Sequence, residues 1–224
     1  MALGFRVLPG HVRSDRSLVE ALSVIPTAVI SDNMSRMVAG GARLRPIHAG
    51  GTLGGTALTV KTRPGDNLMI HKAVDIAEPG DVIVVDGGGD LTNALIGELI
   101  VAHARSRGVA GFVVDGAVRD MAVLSAGDFP VYAAGVSHRG PYKDGPGEVN
   151  VPIALDGMVI EPGDIVIGDM DGVLAIPGGS AEEVLAASRA QHAREQEILQ
   201  AIEHGRWDRS WVDDTLKARG CQFS

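Results

Sequence analysis

Apolar residues recur with helical spacing near the start of the chain and then mostly gather into short unbroken runs. Residues 17–37 read as a helix in two pieces, broken at Pro26 because proline supplies no N–H to an interior turn. Thr27 opens the second piece, with Ala28, Val29, Ile30 and Met34 on its apolar face. Residues 38–55, rich in Gly, Arg and Pro, read as loop. TALTVKT (56–62) alternates as a strand does, RPGDN (63–67) turns the chain, and a helix over 67–77 follows, with Leu68, Ile70, Ala73 and Val74 facing a core.

A weak internal repeat comes next. EPGDVIVVDG (78–87) and EPGDIVIGDM (161–170) each place a Pro-Gly-Asp turn before an unbroken apolar run. Such runs suit strands covered on both faces, and the pair suggests two packed sheets or a barrel-like core. Residues 87–107 pass from a glycine-rich loop into a helix whose start lies between Thr92 and Gly97, with Leu99, Ile100, Ala102 and His103 facing inward. Arg105 and Arg107 suit its last turn, and Gly108 its C′ position. GFVVDG (111–116) is a buried strand, 118–126 a short helix or turn, PVYAAGV (130–136) a strand and 137–148 a polar loop. VNVPIAL, GMVI and GVLAIP (172–177) supply further strands, and a long helix runs from an N-cap at Ser180 to His204, stopped by Gly205. The expectation is a single α/β domain over 1–224, with 205–224 a tail whose Trp207 and Trp211 pack at a subunit interface.

Composition narrows the function. Lys plus Arg is 20 against 28 for Asp plus Glu, a net charge of −8 that opposes wholesale nucleic-acid binding. The single cysteine, Cys221, excludes an intrachain disulfide framework and a cysteine-based zinc site, and a reducing cytoplasm is the simplest compartment. No apolar run reaches membrane-spanning length, and MALGFRVLPGHVRSDR lacks the apolar stretch of a signal peptide.

The candidate chemistry is acidic and cationic. Twenty residues separate Glu98 from the pair Arg119-Asp120, over a path that runs out across a sheet and returns. Arg119-Asp120 follows the strand 111–116, and ligand sites gather at strand ends. A half-buried arginine needs an anion: either a structural carboxylate, Asp115 or Asp128, or a substrate carboxylate or enolate held bidentately. VVDGGGDLTNALIGEL joins strand, glycine-rich loop and helix, but has neither the dinucleotide nor the P-loop glycine spacing. With the later helix start, the N–H groups of Gly97, Glu98, Leu99 and Ile100 are free for a carboxylate. The seven histidines show no zinc spacing, although His71 can face a pocket. Lys61 and Lys143 have no local feature that lowers their pKa for Schiff-base chemistry, which favours a metal-dependent aldolase. Glu195 and Glu197 read as solvated charges.

GELIVAHARSRGVAGFVVDGAVRD, together with TAVISDNM (27–34), TVKTRPGDN (59–67) and PGDIVIGDMDGVLAIP (162–177), resembles the family that joins 4-hydroxy-4-methyl-2-oxoglutarate aldolases to the regulator of ribonuclease activity A. The shared motif is an acidic residue, twenty spacers, then Arg-Asp. The aldolases usually carry aspartate where this chain has Glu98. The resemblance implies a β-rich core of the swivelling β/β/α type flanked by helices, in trimers or dimers of trimers, and a class II pyruvate aldolase. It implies that Arg119 binds pyruvate and its enolate, and that Asp120 is the direct ligand of a Mg²⁺ or Mn²⁺. Glu98 then holds metal-bound water, the amides of Gly97 to Ile100 take the substrate carboxylate, and Asn67 and His71 line the pocket. Glu195 reaches the metal water of a neighbouring subunit. Oxaloacetate decarboxylation is an expected side activity, and the partner is a small 2-oxo acid. A non-catalytic ribonuclease-binding regulator is the alternative, one thought to lack the first acidic residue. A menaquinone methyltransferase is disfavoured by the missing cofactor loop.

Overall fold

The computed structural model describes residues 3–10, 12–37 and 40–223. The chain forms two compact units, Met1–Ser188 and Arg189–Ser224. In the first, β1 (Phe5–Val7) precedes α1 (Arg16–Ser23), α2 (Thr27–Asn33), β2 (Arg45–Pro46), β3 (Leu53–Thr62), α3 (Leu68–Ile76), β4 (Asp81–Asp86) and β5 (Ala94–Ile96). Then come α4 (Glu98–Ser106), β6 (Gly111–Val118), α5 (Met121–Leu124), β7 (Val131–Val136), β8 (Gly147–Val149), β9 (Ile153–Leu155), β10 (Met158–Ile160), β11 (Ile165–Gly168) and β12 (Val173–Ile176). The long helix α6 (Ala181–Glu203) begins here and continues into the second unit.

The architecture is mixed α/β. Among the described residues ten strands form one sheet with the path β1-β8-β3-β4-β6-β7-β2, joined by β5 beside β6, by β11 beside β3 and by β12 beside β11, while β9 and β10 form a separate hairpin. β3, β4, β6 and β7 run parallel, so their C-terminal ends share one edge. The two copies of the repeat lie in this one sheet, on either side of β3: Thr56 pairs with Asp81 in parallel and with Ile165 in antiparallel register. Each Pro-Gly-Asp turn is closed by its own aspartate, which accepts from the glutamate N–H three residues back, Asp81 from Glu78 at 2.8 Å and Asp164 from Glu161 at 2.9 Å. Gly80 (φ +89°) and Gly163 (φ +98°) take a conformation that disfavours any side chain.

One apolar cluster packs α3 and α4 on the sheet, around Ile70, Val74, Ile83, Val101, Phe112 and Val114. A second covers the opposite face under the β9–β10 hairpin, and a third joins α1 and α2 to β11 and β12. All of β6 is buried, which explains its unbroken apolar run.

The sequence expectations need four corrections. Residues 38–55 are not all loop: β2 and the start of β3 lie there, while 38 and 39 fall outside the described residues. On α3 Met69 is buried with Ile70, Ala73 and Val74, and Leu68 is only partly covered. On α4 the buried stripe is Val101 and Ala104. Leu99 is 80% exposed, Ala102 and His103 are exposed, and Ile100 is half-buried. The shift arises because Ala94–Ile96 pairs with β6 as a strand, so the helix begins only at Glu98. Finally, the tail holds a helix.

The second unit contains the rest of α6 and that helix, α7 (Ser210–Ala218), with Gly205 (φ +63°) between them. Arg209 stacks 4.9 Å from the Trp207 ring centroid, and no described residue of this unit is buried. No helix among the described residues is long and apolar enough to cross a membrane.

Candidate active site

A small cavity of about 90 Å³ opens where β5, the start of α4 and the end of β6 meet the start of α3 and the loop after β7. That is well under the roughly 300–1,000 Å³ of pockets that take drug-sized ligands, so it suits a small acid rather than a nucleotide. The chain's own folding brings Asn67, His71, Gly97, Leu99, Ile100, Arg119 and Asp120 to its walls.

Arg119 is not absorbed by either structural carboxylate that could neutralise it. Asp115 accepts from Arg43 at 2.7 Å and Asp128 from Arg105 at 2.9 Å. Burial pushes the Asp115 carboxyl above its ordinary range, with Arg43 opposing. The carboxylate beside Arg119 is Asp120, with Nε to Oδ2 at 3.8 Å, longer than a charge-assisted hydrogen bond. The guanidinium is therefore available to a ligand. Asp120 itself sits in the left-handed region (φ +61°), which aspartate tolerates better than most residues, and such outliers gather at functional sites. Its Oδ2 accepts from the Glu98 N–H at 2.9 Å, where the helix dipole favours negative charge.

That bond corrects the expectation of four free amides. The Glu98 N–H is taken by Asp120, while the N–H groups of Leu99 and Ile100 lie in the first turn and have no carbonyl within the helix. Gly97 is needed for a close approach: a Cβ there would collide with Asp120 Oδ2 and sit 2.9 Å from Arg119 Cγ.

Asn67 is buried, and its Nδ2 donates to Leu95 O at 2.9 Å, which fixes the amide's orientation. Its Oδ1 is buried with no hydrogen-bond partner in the structure and is left as an acceptor. His71 has its pKa held below the usual value by burial, then by the Lys143 ammonium, with Asp75 opposing and His103 adding to the fall. It is thus neutral at neutral pH. Lys143 and Pro141 also line the cavity. The sequence pointed to Lys143 only as a Schiff-base candidate; its place in a Pro- and Gly-rich loop following a strand end was the usable signal.

The Glu98 side chain is exposed and is not among the cavity's lining residues. Glu195 belongs to the second unit, where Gln191 Nε2 donates to its Oε1 at 2.9 Å. Among the described residues no three His, Cys, Asp or Glu side chains converge as metal ligands. A caged zinc site does not match this donor set. A single carboxylate, Asp120, at the cavity wall does fit a hard cation that keeps most of its water, as Mg²⁺ does.

Comparison with known proteins agrees with this architecture. The family model described as RraA-like, Aldolase/RraA, matches residues 27–175. A protein of Halalkalibacterium halodurans named "Putative 4-hydroxy-4-methyl-2-oxoglutarate aldolase" is 38% identical over 190 residues, covering 85% of this chain and 90% of its own. A solved structure from Pseudomonas syringae pv. tomato superposes with a TM-score of 0.78 at 26% identity, covering 87% of this chain and 96% of that one. The RNA-processing inhibitor RraA from Thermus thermophilis gives a TM-score of 0.62 at 31% identity, over 68% of this chain and 92% of that one. The chain belongs to the RraA-like family of aldolases and RraA proteins.

Proposed function

We propose that the protein is a divalent-metal-dependent class II aldolase that cleaves a 4-hydroxy-2-oxo acid, such as 4-hydroxy-4-methyl-2-oxoglutarate, to pyruvate. The observation that carries this reading is Arg119, unneutralised by its expected structural partners and placed beside Asp120 in a cavity sized for a small acid.

Arg119 grips the 2-oxo acid end of the substrate, where its fork matches a carboxylate or enolate. The free first-turn amides of Leu99 and Ile100 add donors for the carboxylate. Asn67 Oδ1 accepts from a substrate hydroxyl or an ordered water, and neutral His71 and cationic Lys143 complete the wall. A proton leaves the 4-hydroxyl to water oriented by Glu98, the C3–C4 bond breaks, C4 becomes a carbonyl carbon, and the bonding pair remains on pyruvate as its enolate. Arg119 stabilises the charge that collects there, and the proton taken by the water returns to C3 to give pyruvate. Asp120 would hold a Mg²⁺ or Mn²⁺ directly, with Glu98 and a neighbouring subunit's Glu195 reaching it through water, and the metal would supply Lewis-acid polarisation. Decarboxylation of oxaloacetate yields the same enolate and is a side activity of this site. The working form is a trimer or hexamer, and the reducing cytoplasm suits a chain with one exposed thiol.

The test is a pyruvate-release screen over several 4-hydroxy-2-oxo acids. Chelation abolishes release and Mg²⁺ or Mn²⁺ restores it. Full activity in excess chelator, with a borohydride-trapped pyruvate adduct, would replace this reading with Schiff-base chemistry. The similarity to an RNA-processing inhibitor supports a second reading, a ribonuclease-binding regulator. That reading takes over if no 4-hydroxy-2-oxo acid is cleaved.

A further inference from the structure

Asp66 is fully buried, yet it lines neither the candidate site nor any other cavity among those described. A carboxylate in that position must be satisfied by donors. It has four. Oδ1 accepts from the Leu68 N–H at 2.9 Å, in the first turn of α3. Oδ2 accepts from the Asp144 N–H at 2.8 Å, from the Gly145 N–H at 2.9 Å and from Arg63 Nη2 at 3.1 Å. The same two segments are joined through the backbone, by the Asn67 N–H to Tyr142 O at 3.0 Å and the Tyr142 N–H to Gly65 O at 2.8 Å. The Arg63 guanidinium lies 5.8 Å from the Tyr142 ring centroid.

These contacts join the two cavity walls that face each other across sequence. One segment leads into α3 and delivers Asn67 and His71; the other delivers Pro141 and Lys143. The Asp144 amide that Asp66 holds is the one that follows Lys143. We propose that Asp66 is a positioning residue for this cavity: its buried carboxylate ties the Lys143 loop to the start of α3, and so sets how firmly the cavity holds an acidic substrate. The proposal deepens the aldolase reading and rests on it for its kinetic consequence.

Asp66→Asn keeps the size but turns an N–H₂ toward groups that are all donors. Loss of a charged acceptor of this kind raises KM for the cleaved 4-hydroxy-2-oxo acid by about tenfold or more, with a smaller fall in kcat. If Asp66 acts through Lys143, the KM effect shrinks to roughly twofold or less in a Lys143→Met background, because coupled residues are not additive. Amide hydrogen exchange supplies a readout independent of catalysis: residues 141–145 lose protection in Asp66→Asn while β6 keeps its own. A wild-type KM with wild-type protection over 141–145 overturns the proposal, and so does an undiminished KM effect in the Lys143→Met background. Should Asp66→Asn not fold, Arg63→Gln removes one donor and keeps the core. It then shows the same KM rise, lost with Lys143→Met, at several-fold size, and its absence overturns the proposal. If the wild type cleaves no 4-hydroxy-2-oxo acid, the aldolase reading fails by itself, and the exchange measurement still judges whether Asp66 holds the loop.

Discussion

Arg119 is available to a ligand because the one carboxylate beside it among the described residues, Asp120, stands 3.8 Å away, while Asp115 and Asp128 pair with Arg43 and Arg105. Arg119→Lys keeps the charge and loses the fork, and the expected result is a kcat lower by about a hundredfold or more with the fold intact, checked by steady-state kinetics beside circular dichroism. Gly97→Ala acts through Asp120: the new Cβ displaces the carboxylate that caps Glu98, so kcat/KM falls by roughly tenfold or more, the scale of one lost charge-assisted bond, while the far-ultraviolet spectrum is kept. His71 gives a pH prediction. Its pKa is depressed in the folded protein, so the unfolded chain binds more protons as pH drops through the ordinary histidine value of about 6.5. Stability is therefore unaffected above that value and falls as the pH drops below it toward the folded pKa. NMR titration of His71 finds a midpoint under the ordinary value, and Lys143→Met moves it upward by removing a like charge. An unmoved midpoint contradicts the proximity of the two groups. At this scale the position of Arg119-Asp120 at the end of a buried strand was legible, since the unbroken apolar run of β6 stops at Val118. The orphaned Asn67 Oδ1 was not, because it depends on a carbonyl of β5, a strand that carries no pattern of its own.

Elements were legible where period or punctuation was strong. Pro26 divides α1 from α2, Gly108 follows α4, and both Pro-Gly-Asp turns precede buried strands. The phase of α4 was not legible, because ALI at 94–96 continues smoothly into ELIVA and only pairing with β6 assigns it to a strand. The inward residues therefore rotated from Leu99 to Val101, which leaves Leu99 at the cavity and Ile100 between the cavity and the core. The turns carry their own prediction. Asp164→Ala removes the bond to the Glu161 N–H and costs about 1 kcal/mol, as the loss of a capping side chain does, read as a lower denaturation midpoint at constant m. An unchanged midpoint would show that the glycine alone makes the turn.

At the scale of the molecule, the parallel strands and their shared C-terminal edge place the cavity where α/β sheets commonly bind ligands. Strand count and the single-sheet arrangement of the repeat lay beyond the sequence, since pairing partners across long separations leave no local mark. The second unit has exposed Ile198, Leu199, Trp207 and Trp211 and no buried residue among those described, which is compatible with burial against another subunit. Light scattering is expected to give three or six copies of the 23.3 kDa chain, and a monomer at working concentration would remove any role for Glu195 across an interface.

The central claim, that this cavity makes and stabilises pyruvate enolate, is tested most directly by exchange of the pyruvate methyl protons followed by NMR, which needs no knowledge of the natural substrate. The wild-type protein with Mg²⁺ is expected to exchange them, and Arg119→Lys to slow the exchange by about a hundredfold. No exchange by the wild type, together with no cleavage of any 4-hydroxy-2-oxo acid, would contradict the aldolase account and leave the ribonuclease-binding reading in its place.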